Sequence, residues 1–423
     1  MKQALYILLP FATAFSFSQE ILEQQFKDIE PKVIEWRRHF HQNPELSNRE
    51  FKTAEKIASH LKALGLKVQT GVAHTGVIAV LEGNQPGKVI ALRADIDGLP
   101  VTERNNLPFK SEVNTTFLNT ETGVMHACGH DTHTAILMGV AEILSKNKSK
   151  IKGTVKFIFQ PAEEGPPPGE EGGAKLMIKE GVLENPKVDA IFGLHIRSNI
   201  PVGKITYKPE GFLAGVERFV VNIKGKQTHG SRPWEGIDPI YISGKIIDGY
   251  QSIISRESNL LIEPAVITVG KITSGVRFNI IPESAEMIGT VRTLDPDMRT
   301  MIIKRMTEMT ETVAKAYGGE ATIEFQENTV VTYNDPDLVT QMLPSLEKAA
   351  GKEHVFLQKA ITGGEDFSYY QEVVPGFFFF LGGMTPGNSE AFPHHTPDFF
   401  IDESGLITGV KALTQITFDY LNN

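Results

Sequence analysis

Five short apolar runs constrain this chain more than any other feature: Gly76–Leu81, Val89–Leu92, Thr154–Phe159, Ala190–Leu194 and Phe377–Leu381. Each is four to six residues long, and most are rich in Val, Ile or Phe. Helical patterns such as Thr134–Leu144 and Ala174–Glu180 lie between them. Continuous apolar character is what strands buried on both faces require. The alternation with helices therefore predicts an α/β unit with a mostly parallel sheet. Upstream, residues 21–41 read as a helix ending at His41-Gln42-Asn43-Pro44. Ser47-Asn48-Arg49-Glu50 then reads as a capping box. The helix behind it places Ala54, Ile57, Ala58, Leu61 and Leu64 on one face, and Gly65 stops it.

From about 212 to 325 the pattern changes. Strands are expected at Val216–Ile223, Ala265–Ile272, Ala285–Thr293 and Ala321–Gln326, with helices at Pro239–Ser255 and Met298–Tyr317. The order β-α-β-β-α-β is that of a ferredoxin-like α+β unit. The expected organisation is a segment 1–18, a first catalytic part 19–211, an inserted lid or dimerisation domain 212–325, and a second catalytic part 326–423. The first segment reads as a signal peptide. Lys2 precedes the apolar run 4–15, and Ser16 and Ser18 occupy small-residue positions before a cleavage site. The run is shorter than the ~20 residues that span a bilayer. Export to the periplasm or the medium is expected. Lys+Arg number 42 against 51 Asp+Glu, a formal charge of −9, with no basic run. Neither nucleic acid nor an anionic membrane is an expected partner.

The chemistry concentrates in Met125-His126-Ala127-Cys128-Gly129-His130-Asp131-Thr132-His133, which holds the only cysteine and three of the twelve histidines. A thiolate and an imidazole two residues apart can both reach one zinc-like ion. The plain alternative is a buried free thiol beside surface histidines. Four further positions shift the balance. Asp95, the adjacent pair Glu163 and Glu164, and His195 follow apolar strands, and His395 comes a loop after the last one. In an open α/β sheet, groups at the carboxyl ends of strands converge on a ligand. Cys128, His130, Glu164, His195 and His395 would supply enough donors for two ions sharing a bridging group. Neighbours on an extended chain point to opposite sides, so one of the pair can bind metal while the other faces a substrate water; with Glu164 among the donors, Glu163 would act as general base.

At these residues the chain resembles the metal-dependent aminoacylase and carboxypeptidase family. The likeness is to its amidohydrolase branch, which includes auxin-conjugate hydrolases, hippurate hydrolase and N-acetyl-diaminopimelate deacetylases. The motifs are RRHFHQNPELSNRE, RADIDGLP, MHACGHDTHTA, FQPAEEG, GLH, HGSRPWEGIDP, NIIP with GTVRT, GGEDFSYY and HHTPDF, running from about Trp36 to the C-terminus. The resemblance implies a zinc-peptidase-like catalytic domain and a homodimer. It also implies a site for two divalent ions, manganese, zinc or nickel, held by the five residues named above. Glu163 would be the proton acceptor, and Asp95 an acidic residue supporting the metal-facing groups. Arg93 stands where many relatives have histidine, so Asp95 cannot orient a histidine there. His229 would stabilise the oxyanion, often from the other subunit, and Asn279 and Arg292 would meet the substrate's polar end. His394 rivals His395, but His395 precedes Thr-Pro as the pattern requires. His126, Asp131 and His133 would support the ligands, and Glu365 and Asp366 would be structural. Two departures bear on the substrate: the Pro166–Glu171 loop and Ile196-Arg197-Ser198 after His195. The implied reaction is hydrolysis of an N-acyl amino acid amide or a related conjugate by a metal-bound hydroxide. The alternatives are a dipeptidase or carboxypeptidase using the same site, and a non-catalytic binding protein on the same fold.

Overall fold

The computed structural model describes residues 11–387 and 391–422, with side chains from residue 20 onward. Most of the expected signal peptide, 1–18, therefore lies outside the described residues. The first unit begins with α1 (Phe11–Gln42), α2 (Phe51–Ala63), β1 (Lys67–Val72), β2 (Gly76–Glu82) and β3 (Gln85–Asp95). It continues through α3 (His130–Lys146), β4 (Lys152–Gln160), α4 (Gly173–Lys179), β5 (Ala190–Pro201) and β6 (Ile205–Tyr207). A second unit follows, with β7 (Gly215–Lys224), α5 (Pro239–Ser252), β8 (Ala265–Ser274), β9 (Ser284–Thr293), α6 (Pro296–Ala316) and β10 (Glu320–Thr329). The chain then returns to the first unit with α7 (Pro336–Ala350), β11 (Val355–Leu357), β12 (Gly376–Met384) and α8 (Leu406–Asn422). Among the described residues no helix is long and apolar enough to cross a membrane.

The large sheet of the first unit runs β1-β2-β4-β3-β5-β12-β6-β11. Its centre is parallel: β3 pairs with β4 and with β5, and β5 pairs with β12. The apolar stretches of these strands are buried, which is why they read as unbroken apolar runs rather than alternating ones. Gly76–Leu81 is the exception to the parallel reading. As β2 it pairs antiparallel with both β1 and β4, because only the short turn 73–75 separates it from β1 and no crossover is possible. The helix α3 is buried from His130 to Leu144 and packs on β3 and against α1 and α8. It fixes His130 at its first residue.

The second unit gathers residues 208–336 and 358–373. Its sheet order is β8-β9-β7-β10, all antiparallel, the arrangement a β-α-β-β-α-β chain adopts in a ferredoxin-like fold. Phe219, Ile242, Tyr250, Met287, Ile302 and Met306 form its core. The sequence reading placed the insert at 212–325. The later segment joins through backbone bonds, since Ala214 N–H reaches the carbonyls of Ile361 and Gly363.

The capping box at Ser47–Glu50 does not form. Glu50 makes no side-chain cap to α2, and Ser47 Oγ donates instead to Asp97 Oδ2 at 2.8 Å. Glu45 satisfies the helix start: its carboxylate accepts the N–H of Lys52 at 3.2 Å and of Thr53 at 2.9 Å. Helix N-termini leave such donors orphaned, and a cap is worth ~1 kcal/mol. Glu45→Ala should therefore lower the melting temperature by the equivalent of about 1 kcal/mol, read by circular dichroism. An unchanged melt would show that another group caps α2.

Candidate metal centre

Cys128 and His130 face one space because Gly129 between them adopts φ 99°, a left-handed conformation that glycine tolerates. A Cβ there would lie 2.2 Å from Ile196 Cγ2, so the position has no room for a side chain. Cys128 Sγ stands 3.3 Å from His195 Nε2, 3.3 Å from His395 Nε2 and 3.7 Å from His394 Nδ1. Glu164 Oε1 lies 3.0 Å from His395 Nε2 and 3.9 Å from His130 Nε2. Glu163 Oε2 is 3.7 Å from the same His130 nitrogen. The structure thus brings Cys128, His130, Glu163, Glu164, His195 and His395 together in the first unit.

Two expectations about local geometry change. Glu163 and Glu164 sit in a turn, not an extended segment, so alternation does not separate them. Ala162 before them has φ 53°, which bends the chain and turns both carboxylates toward His130. His195 does not end its strand either. β5 runs on to Pro201, with His195 opposite Phe380 on β12, while β3 stops at Asp95.

The donors suit divalent ions. Ligands held at ~2.0–2.3 Å around one tetrahedral ion stand about 3.3–3.8 Å apart, the range observed around Cys128. His130 Nε2 is buried with no hydrogen-bond partner, although buried polar atoms nearly always have one. Two of the imidazoles are tied down at their other nitrogen. His130 Nδ1 lies 3.0 Å from Asp97 Oδ1, and His195 Nδ1 donates to the Ile196 carbonyl at 2.6 Å. Both Nε2 atoms are therefore left to face the cluster. Two groups of donor atoms share Cys128: Cys128 with His195 and His394, and Cys128 with His130 and Glu164. In His394, Nε2 accepts the Ser198 N–H at 3.2 Å. Its proton then belongs on Nδ1, pointing at the sulfur, which suits a donor to the thiolate better than a metal ligand.

Burial shapes the titration of these groups. It pushes the Cys128 thiol well up, and Glu164 adds to that. It holds His195 well below the usual imidazole range, helped by His133 and His394. For His130, burial opposes the charge, but Asp95 and the Asp97 hydrogen bond outweigh it and raise the ring well above its ordinary value. Metal uptake must then displace protons from the thiol and from His130.

Asp95 lies one step back. Oδ2 accepts from Arg93 Nη1 at 2.6 Å, and Oδ1 is 2.5 Å from His133 Nδ1 but 3.9 Å from His130 Nδ1. His133 Nε2 in turn accepts the Ile196 N–H at 2.8 Å, fixing the backbone beside His195. Asp131 is held by Arg37 at 2.9 Å and His41 at 2.8 Å, which accounts for the RRHFHQ motif. His126 is buried with both ring nitrogens unpartnered, and burial pushes its pKa down to about 4. His229, Asn279 and Arg292 belong to the second unit. There His229 pairs with Ile280, next to Asn279, and His229 Nδ1 accepts the Ser231 N–H at 3.0 Å. Glu365 and Asp366 are buried in the same unit, and Glu365 accepts the Phe367 N–H.

Four residues support the site in ways the sequence reading did not indicate: Asp97, Glu50, Asn48 and Arg49. Asp97 Oδ2 accepts both the Glu164 N–H at 3.1 Å and the Ser47 hydroxyl, while Oδ1 faces His130. Glu50 accepts the Ala162 N–H at 3.0 Å and the Thr75 hydroxyl at 2.5 Å. Burial and the Asp97 charge push its pKa up to about 8. Asn48 and Arg49 bind Glu170 and the Glu171 carbonyl, so Ser47–Glu50 clamps the loop that carries both glutamates. The signal was present in the second carboxylate of RADIDGLP and in a capping box with no need to cap.

Residues 91–419 match the family model for peptidase family M20/M25/M40. The chain is 39% identical over 405 residues to thermostable carboxypeptidase 2 of Saccharolobus solfataricus, covering 95% of this chain and 99% of that one. It is 40% identical over 393 residues to N-acetylcysteine deacetylase of Bacillus subtilis, covering 92% and 97%. A crystal structure from Bacillus subtilis described as a dinuclear metal binding peptidase from the M20 family superposes with a TM-score of 0.78 at 36% identity, covering 94% and 99%.

Since Asp97 holds one ligand by its ring and another by its backbone, Asp97→Asn should weaken metal affinity by ~10–100-fold, measured by chelator competition. Ser47→Ala, which removes only the outer bond, should cost less. Equal affinity in Asp97→Asn and the unsubstituted protein would remove this carboxylate from the account.

Proposed function

This chain belongs to peptidase family M20/M25/M40, and we propose that the bond it cleaves is the amide of an N-acyl amino acid or a related conjugate. It is a metal-dependent hydrolase of the amidohydrolase and peptidase type. The observation that carries the reading is Glu163, a carboxylate 3.7 Å from His130 Nε2 yet left over once the five donors are counted. Cys128, His130, Glu164, His195 and His395 would hold two divalent ions, manganese, zinc or nickel. When bound, such ions acidify a water and polarise the scissile carbonyl. Glu163 takes the proton of the attacking water and gives it to the leaving amine nitrogen. Similarity to an N-acetylcysteine deacetylase supports the N-acyl substrate. Similarity to a carboxypeptidase favours a second reading, a peptidase using the same residues.

We also propose that the protein is exported on its N-terminal segment and works as a homodimer in which His229 serves the partner's site. With Nδ1 accepting from Ser231, the His229 proton sits on Nε2, ready to donate to a developing oxyanion. Asn279 Oδ1 is buried without a partner, and Arg292 is half-buried with no ion pair among the described residues. Both are proposed to meet the substrate's polar end.

Assays of N-acyl amino acids and dipeptides with each metal separate the two substrate readings. In the same assays Glu163→Gln should keep its metals and lose ~10²–10⁴-fold in turnover, whereas Glu164→Gln should lose metal. The reverse result would mean that the two roles are exchanged.

The dimer proposal has its own test. His229→Ala should lose ~3–4 kcal/mol of transition-state stabilisation with metals intact. Mixing it with Glu163→Gln and allowing subunit exchange should restore roughly a quarter of the sites in a two-fold assembly. Verified exchange without recovered activity would confine His229 to its own chain.

A further inference from the structure

Arg197 is a cation beside the candidate centre that forms no ion pair among the described residues. It lies two residues beyond His195 on β5, and strand alternation puts both side chains on the same face. The register with β12 sets His195 opposite Phe380 and Arg197 opposite Gly382. The guanidinium lies over the Phe380 ring, 5.1 Å from its centroid. It is only partly exposed, and its charge acts on the Cys128 sulfur and on His394. Arg197 Nε is buried with no hydrogen-bond partner, and no carboxylate among the described residues pairs with it.

A structural arginine with a buried Nε is normally paired, because desolvating the guanidinium without an anion is costly. Here the neighbourhood makes that cost larger, since divalent ions on Cys128 and His195 would repel the cation. An anion arriving with the substrate offsets both terms. The planar fork of arginine suits a carboxylate in two-point contact. We propose that Arg197 is a carboxylate-binding residue of the active site, and that the favoured substrates carry one carboxylate more than a simple N-acyl amino acid. That carboxylate can sit on the acyl group, as in an N-succinyl amino acid, or on the side chain, as in an N-acyl glutamate. This proposal rests on the amide-hydrolase reading and narrows its substrate class.

The test compares kcat/KM of the metal-loaded protein on matched pairs. N-succinyl-alanine is set against N-butyryl-alanine, and N-acetyl-glutamate against N-acetyl-glutamine. A charge-assisted hydrogen bond predicts a preference of about ten- to a hundredfold for the charged member of one pair. Which pair shows it tells whether the carboxylate lies on the acyl or the amino-acid side. In Arg197→Met that ratio should fall at least tenfold, and Arg197→Lys should keep part of it. Ratios near one for both pairs in the unsubstituted protein, or an unchanged ratio in Arg197→Met, would overturn the proposal. Calorimetric binding of glutarate against butyrate needs no turnover. Tighter glutarate binding that Arg197→Met abolishes supports the anion site even if no N-acyl substrate is cleaved, in which case the reaction reading fails and not this one. Equal binding of the two acids overturns the anion site.

Discussion

The candidate centre depends on one buried carboxylate. Asp97 has no exposed surface to speak of, at 1%, yet it takes the Glu164 N–H, faces the His130 ring and accepts the Ser47 hydroxyl. Those contacts join the loop after β4, the start of α3 and the turn before α2. A buried charge survives only when hydrogen-bonded on all sides, so the three segments hold the anion as much as it holds them. The neighbouring Glu50, pushed up to about 8 by burial and by Asp97 itself, stays largely neutral at pH 7. The pair can therefore share a dry interior without two full negative charges.

The same logic governs the cluster above. Thiol, imidazoles and carboxylates are packed at distances that suit cation ligands and are uneasy without one. Unpartnered His130 Nε2 marks polar capacity that the protein alone does not meet. The groups behind it are, by contrast, fully engaged: Arg93 with Asp95, Asp95 with His133, and His133 with the Ile196 backbone. Rigidity is thus placed beneath the site, and the unmet polar capacity faces the space where ions and substrate would sit.

Much of this was legible in the sequence because both signals are strong. Buried parallel strands write themselves as unbroken Val, Ile and Phe, and the polar groups that follow stand out. The six-element order of the second unit was legible for the same reason, each strand and helix having its own period. Other features were hidden because they depend on what lies opposite in space. Nothing local tells Gly76–Leu81 to run antiparallel. The turn at Ala162, which brings Glu163 and Glu164 to one side, depends on Glu50 more than a hundred residues earlier. Ser47 and Glu50 have the residue types of a helix cap, but Asp97 and Ala162 compete for them and win. Residues 358–373 join the second unit through bonds to Phe212 and Ala214, a pairing with no trace in periodicity.

The strand order carries a consequence for how the chain acquires its form. β12 is the last strand in sequence, yet it lies inside the sheet between β5 and β6, and His395 follows it. A nascent chain that ends before residue 376 has no neighbour for the extended half of β5 beyond Arg93's partner Gly193, and it lacks one proposed ligand. The first unit cannot be finished piecemeal from its N-terminus, because its two halves must meet after the intervening unit has been made. Such long-range closure is slow and leaves sticky strand edges open in the meantime. The second unit, residues 208–336 with 358–373, has its last segment before β12 is made. Synthesis order therefore favours a sequence in which the inserted domain matures first and the metal-binding domain closes around its final strand.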